Sequence, residues 1–137
     1  MKLLNSGVSS ILLLVFYFAG CAGSTSQVIN SGTWGGEHIV MIVTDSTTTL
    51  DYDCAHGSID EFIKTNEEGD FEVAGVYIRE KGGPIRIEDV PDKHAAIYSG
   101  NIKGNNMTLI VRLTDLDAVI DTFFLTFGSD PVIYKCY

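Results

Sequence analysis

From Thr33 to Cys136 the chain is a succession of short stretches rich in β-branched and aromatic residues, each closed by Gly, Asn, Asp or Pro. Thr33–Thr44, Thr48–His56, Asp70–Lys81, His94–Lys103, Met107–Thr114, Ala118–Phe127 and Val132–Cys136 make seven such runs, and Ile85–Ile87 offers an eighth. None keeps a helical period for long, and their lengths and turn signals are those of strands. The pattern predicts an all-β fold, either a small antiparallel β-barrel or a β-sandwich of about seven to eight strands.

Within this frame some details are sharper. Met107, Leu109, Val111 and Leu113 alternate with Thr108, Ile110 and Arg112, so one face of that strand is wholly apolar and the other reaches solvent. Asp45-Ser46-Thr47 and Gly104-Asn105-Asn106 hold residue types that tolerate the positive φ of tight turns, and both are expected to join antiparallel neighbours. Ser58-Ile59-Asp60-Glu61 has the spacing of a capping box, which predicts at most one helical turn before Asn66-Glu67-Glu68-Gly69. Gly82-Gly83-Pro84 and Val90-Pro91-Asp92 bracket an excursion between Lys81 and His94, where the most mobile loop is expected.

The first 20 residues follow another pattern. Lys2 precedes an apolar run from Val8 to Phe18, too short for a spanning helix of about 20 residues and suited to the core of an export signal. Phe18-Ala19-Gly20-Cys21 then resembles the lipobox of bacterial lipoproteins, although Phe18 departs from the usual Leu. The resemblance implies that Cys21 receives diacylglycerol and becomes the mature N-terminus; an ordinary secretory cut after Ala19 or Ala22 is the alternative. Ala22, where some inner-membrane lipoproteins have Asp, implies the outer membrane in a diderm host. The expected organisation is a signal peptide over residues 1–20, a lipidated cysteine and polar tether over 21–32, and one β-domain over 33–137.

Charge narrows the partners. Losing Lys2 leaves eight basic against 18 acidic residues, a net charge of −10 for the mature chain. Nucleic-acid binding needs clustered Lys and Arg on phosphate, so it is excluded as an expected function. The surplus suits solubility or a cationic partner.

Gly32-Thr33-Trp34 is similar to the G-x-W signature of lipocalin-like barrels, which implies a tryptophan plugging one end. Trp34-Gly35-Gly36-Glu37-His38, Tyr52-Asp53-Cys54-Ala55-His56-Gly57 and Arg79-Glu80-Lys81-Gly82-Gly83-Pro84 together resemble a group of uncharacterised bacterial exported proteins, a likeness that implies fold and compartment but no chemistry. At the level of architecture alone, lysozyme-inhibitor lipoproteins are also similar, as small disulfide-bonded β-barrels.

Catalytic motifs are mostly absent: there is no H-E-x-x-H, G-x-S-x-G, C-x-x-C or phosphate-cradling glycine loop, which makes an enzyme the lesser expectation. Asp53, His56 and Ser58 do not make a triad on an extended strand, because Asp53 and His56 point to opposite faces. With Cys21 lipidated in an oxidising compartment, Cys54 and Cys136 are expected to form the one disulfide. Pairing across Asp45-Ser46-Thr47, with residue numbers summing to about 92, brings His38 opposite Cys54 and makes His38 and His56 diagonal neighbours on one face. That pair is the candidate ligand or metal site, with zinc the cofactor it would take; structural bonding near a barrel end is the alternative. Three functions follow in order: a non-enzymatic, lipid-anchored module binding a small apolar ligand or an envelope protein; an inhibitor of a cationic envelope enzyme such as a lysozyme; and a metal-dependent enzyme using His38 and His56.

Overall fold

The computed structural model describes Gly20, Gly23 and residues 25–137. Cys21 and the apolar leader lie outside the described residues. Ten strands occur in the order β1 (Gln27–Val28), β2 (Gly32–Gly36), β3 (Ile39–Val43), β4 (Thr48–Tyr52), β5 (Ala55–Ile59), β6 (Lys64–Thr65), β7 (Asp70–Arg79), β8 (Asp92–Lys103), β9 (Asn106–Leu113) and β10 (Ala118–Phe127). Eight of them close into an antiparallel barrel, β10-β2-β3-β4-β5-β7-β8-β9, while β1 and β6 pair apart. The fold is therefore the barrel and not the open sandwich.

The number eight is reached by a different division of the chain from the one the runs suggest. Thr33–Thr44 breaks at Glu37-His38, where His38 takes φ 66° and turns β2 into β3. Thr48–His56 breaks at Asp53-Cys54 between β4 and β5. In compensation, Ile85–Ile87 is loop, and Val132–Cys136 forms no strand beyond a parallel bridge from Val132 to Glu37. The helical turn expected at Ser58-Ile59-Asp60-Glu61 is also absent: Ser58 pairs with Val76 in the β5–β7 ladder, and Ile59 is buried. Both hairpins expected at Asp45-Ser46-Thr47 and Gly104-Asn105 are present, joining β3 to β4 and β8 to β9.

Because successive barrel strands alternate in direction, the turns after β2, β4, β7 and β9 share one end, here the upper rim. The start of β2 and the connections after β3, β5 and β8 form the lower rim. The lower rim is covered by the N-terminal segment and the β5–β7 connection, which are joined by β1 and β6 and by the Ile29 N–H donating to Ile63 O at 3.1 Å. Ile29 and Ile63 are thereby buried in the core.

An eight-stranded barrel has an interior that side chains just fill or that holds one small ligand. Here period-two alternation turns Ile39, Met41, Leu50, Leu109, Val111 and Leu113 inward, and all join Trp34 and Tyr98 in one buried cluster. Trp34 is 1% exposed, packs edge-on against Phe127 with ring centroids 5.1 Å apart, and stands toward the lower rim. Toward the upper rim Tyr52 meets Tyr77 and Phe123, each at 5.3 Å. Between these layers Tyr98 reaches from β8 along the inner face of the neighbouring β7 and donates to Val76 O at 2.7 Å. It fits because Gly57 and Gly75 lie against it: a Cβ on Gly75 would fall 2.7 Å from the Tyr98 ring, and one on Gly57 would strike its hydroxyl. Burial pushes the Tyr98 hydroxyl up to about 12, so the tyrosines inside are neutral at physiological pH.

Candidate functional site

The sequence-predicted residues gather at the upper rim, where the C-terminal tail is fastened to the barrel. The tail leaves β10 at Gly128, which adopts φ 76°, and crosses the outside of β2. Gly35 permits the crossing, since a Cβ there would collide with the Ser129 backbone. The Val132 N–H donates to Gly36 O at 3.0 Å and Val132 O accepts from the His38 N–H at 2.7 Å, so the turn carrying His38 is itself held by the tail.

Asp53, in the β4–β5 turn, organises the next part of the tail. Its Oδ1 accepts the Tyr134 N–H at 2.8 Å, its Oδ2 lies 2.6 Å from His38 Nδ1, and its backbone O accepts the Cys136 N–H at 3.1 Å. The bond from the Tyr134 N–H, supported by His38, holds the Asp53 carboxyl below its ordinary value against a smaller opposing effect of burial. Cys54 and Cys136 meet at disulfide distance, with Cα atoms 5.2 Å apart. Beside them Lys135 Nζ reaches Asp51 Oδ1 at 2.8 Å, Tyr52 O at 3.0 Å and Glu80 Oε2 at 3.5 Å. Desolvation would lower the Lys135 ammonium, but Asp51 and Glu80 outweigh it and hold the group above its ordinary value.

The two candidate histidines are not brought to a common ligand. The β3–β4 ladder pairs Ile39 with Tyr52 and Val43 with Thr48, one residue away from the expected register. His38 consequently sits in a turn, not on a strand face, and Asp53 takes its Nδ1. His56 lies on the outer wall of β5, and its Nδ1 is 3.0 Å from Glu80 Oε1. Among the described residues no group of three or more His, Cys, Asp or Glu side chains is placed to hold a metal ion. Each imidazole has a carboxylate orienting it, yet among the described residues no hydroxyl or thiol nucleophile is bonded to either ring. The geometry is that of a fastening for the C-terminal tail.

Searches against family models, curated proteins and solved structures return no match.

The third histidine is more tightly held than the two singled out above. His94, at the start of β8, has its side chain 11% exposed, with Nδ1 2.7 Å from Asp115 Oδ2 and Nε2 2.8 Å from Asp92 Oδ1. The bond to Asp115, opposed by desolvation and aided by Asp92, raises the imidazole above its ordinary value of 6.5, and the same bond lowers Asp115 below 3.8. Asp92 and His94 share a strand face two residues apart, a local signal present in the sequence; the partner in the β9–β10 turn, 21 residues on, had none.

This clamp sets a pH dependence. A histidine whose value is raised on folding stabilises the fold fully below its unfolded value near 6.5 and loses that contribution as pH rises through the folded value. Asp115 acts in reverse, contributing above about 3.8 and losing its effect as pH falls through its lowered folded value. Stability is therefore expected to decline as pH is raised from 6.5, and His94→Gln should flatten that decline. Thermal melts of both proteins from pH 5 to 9, at roughly half-unit steps fine enough to resolve a single titration, check this; parallel curves would show that His94 is not the group responsible.

Proposed function

We propose that the chain is a lipid-anchored protein of the bacterial cell envelope whose barrel binds partners through its outer surface and carries no ligand inside. The observation that carries this reading is the filled interior: inward side chains from all eight barrel strands, Trp34 and Tyr98 the largest, form one buried cluster where a carrier of this strand number would hold its cargo. Clefts of about 460 and 370 Å³ lie at the two rims, the first beside Trp34 and Glu68, the second between His56 and the β7–β8 loop. Support for the anchor comes from Ala19-Gly20-Cys21 after the apolar run, with β1 beginning six residues beyond Cys21. Cys21→Ser is expected to abolish acylation and leave the leader uncut, read as an intact mass without diacylglycerol. A wild-type protein whose N-terminal peptide carries an unmodified Cys21 would contradict the anchor.

A second reading, inhibition of a cationic envelope enzyme such as a lysozyme, is favoured by the charge of the lower rim. Asp60, Glu61, Glu67, Glu68, Asp70 and Glu72 are all exposed, with Lys64 the one cation in that stretch. Binding to a lysozyme that weakens steeply with added salt would support it. The metal-dependent reading has no geometric observation in its favour.

A further inference from the structure

We infer that the β7–β8 loop is a membrane-contacting loop, which lays Ile85, Ile87 and Val90 into the headgroup region of an anionic bilayer. This deepens the envelope reading above and rests on it for the identity of the membrane, but the contact itself is a property of the loop.

Three large aliphatic side chains stand almost wholly in water on this one excursion: Ile85 is 91% exposed, Ile87 106% and Val90 81%. Leaving them there forgoes the burial that the barrel strands achieve, and apolar side chains grouped on an exposed loop mark a contact surface. What they contact is indicated by charge. Residues 79–93 hold four basic and four acidic side chains, a net charge of zero, while the remainder of the mature chain holds four basic and 14 acidic, a net charge of −10. Half of the mature chain's cations are thus concentrated in 15 residues.

The loop is more cationic toward a partner than this balance suggests, because two of its four carboxylates already face basic groups of their own. Glu80 is beside Lys135 and Asp92 beside His94, while Asp89 accepts the Arg86 N–H at 2.9 Å and keeps its charge. Arg79, Lys81, Arg86 and Lys93 are exposed and make no ion pair among the described residues. Interleaved aliphatic and cationic side chains are the composition that partitions into an interface and is drawn to anionic lipid, the long cations extending to the phosphates as the apolar groups enter. A protein groove would be met by the same aliphatics, but four free cations on a protein otherwise strongly acidic favour an extended anionic surface.

The route from loop to anchor is compatible with one membrane. Ser26 lies beside Phe71 and Glu72 at the lower end of β7, and the loop leaves the upper end of the same strand. Between these points the outer wall of β7 and β8 carries Ala74, Val76, Ile78, Ala95 and Ile97, with no charge between Glu72 and Lys93. The six residues from Cys21 to Ser26 reach at most about 20 Å, more than twice a Debye length of about 8 Å at physiological salt. A barrel inclined onto the upper ends of β7 and β8 brings the loop to the bilayer, and the tether is long enough for Asp70, Glu72 and the rest of the acidic lower rim to tilt away from it.

Trypsin reads this directly, since Arg86 is an exposed cleavage site in the middle of the loop. The full chain is incorporated into vesicles of phosphatidylglycerol with phosphatidylethanolamine, and separately into phosphatidylcholine vesicles, and cleavage after Arg86 is timed by mass spectrometry. Cleavage is expected to be about tenfold slower in the anionic vesicles, and the triple variant Ile85→Ser, Ile87→Ser, Val90→Ser, whose changes touch no buried residue, should remove most of the difference. Equal rates in both vesicles would overturn the inference, as would equal protection of the triple variant. The N-terminal peptide in the same digest reports acylation of Cys21 independently. Protection at Arg86 with an unmodified Cys21 leaves the loop contact standing and the anchor refuted; an acylated Cys21 with no protection does the reverse.

Discussion

Replacing Cys54 or Cys136 with serine is expected to destabilise the domain by about 4 kcal/mol, from the entropy of a closed loop with a sequence separation of 82 residues. The cost is large beside a total stability of about 5–15 kcal/mol for a single domain. It is also local in its first consequence. The cross-link ties the β4–β5 turn to a tail otherwise held by Asp53, Lys135 and the Val132 bridge, so its loss should free the tail before the barrel opens. Hydrogen exchange of the Tyr134 and Cys136 amides should accelerate more than that of the β9 amides, and urea unfolding should give the global loss. Identical exchange in the variant would show that the polar contacts alone hold the tail.

The other large effect is expected at Trp34. Truncation to alanine removes the largest side chain of the lower layer and its edge-on contact with Phe127, and large-to-small changes of this kind cost about 3–5 kcal/mol. The site cannot collapse readily, because β2 is held on one side by β3 and on the other by β10. Denaturant titration followed by circular dichroism gives the value, and a loss under about 1 kcal/mol would mean that the lower mouth is hydrated and Trp34 contributes little packing.

Much of this fold was legible in the sequence because it rests on period-two alternation. The inward residues of β9 and the exact span of β10 are read directly from it, as are the hairpins at Asp45-Ser46-Thr47 and Gly104-Asn105. The failures have a common cause in backbone geometry that residue type does not announce. Glu37-His38 lacks the Asn-Gly or Asp-Gly composition of a two-residue turn, so β2 and β3 read as one strand, and the tail that holds the turn is about a hundred residues away. Once that turn is missed, the face assigned to His38 is wrong, and the shift of one residue in the β3–β4 register removes the expected pairing of His38 with Cys54 that made it a diagonal neighbour of His56. The cysteine pair was legible from the cysteine count and an expected oxidising compartment, whereas the Asp53 and Lys135 contacts that align it depend on a tail whose Val132–Cys136 run reads as a strand and forms none.

A barrel that is solid and acts through its surface keeps its single tryptophan out of reach of any apolar ligand. Trp34 is the only one in the chain and is buried within the core. Titration of the protein with a brominated fatty acid, a contact quencher of indole, is expected to leave Trp34 emission unchanged apart from the weak, linear effect of free solute. Saturable quenching at one molecule per barrel would show instead that the barrel is not solid and that its interior opens to an apolar ligand.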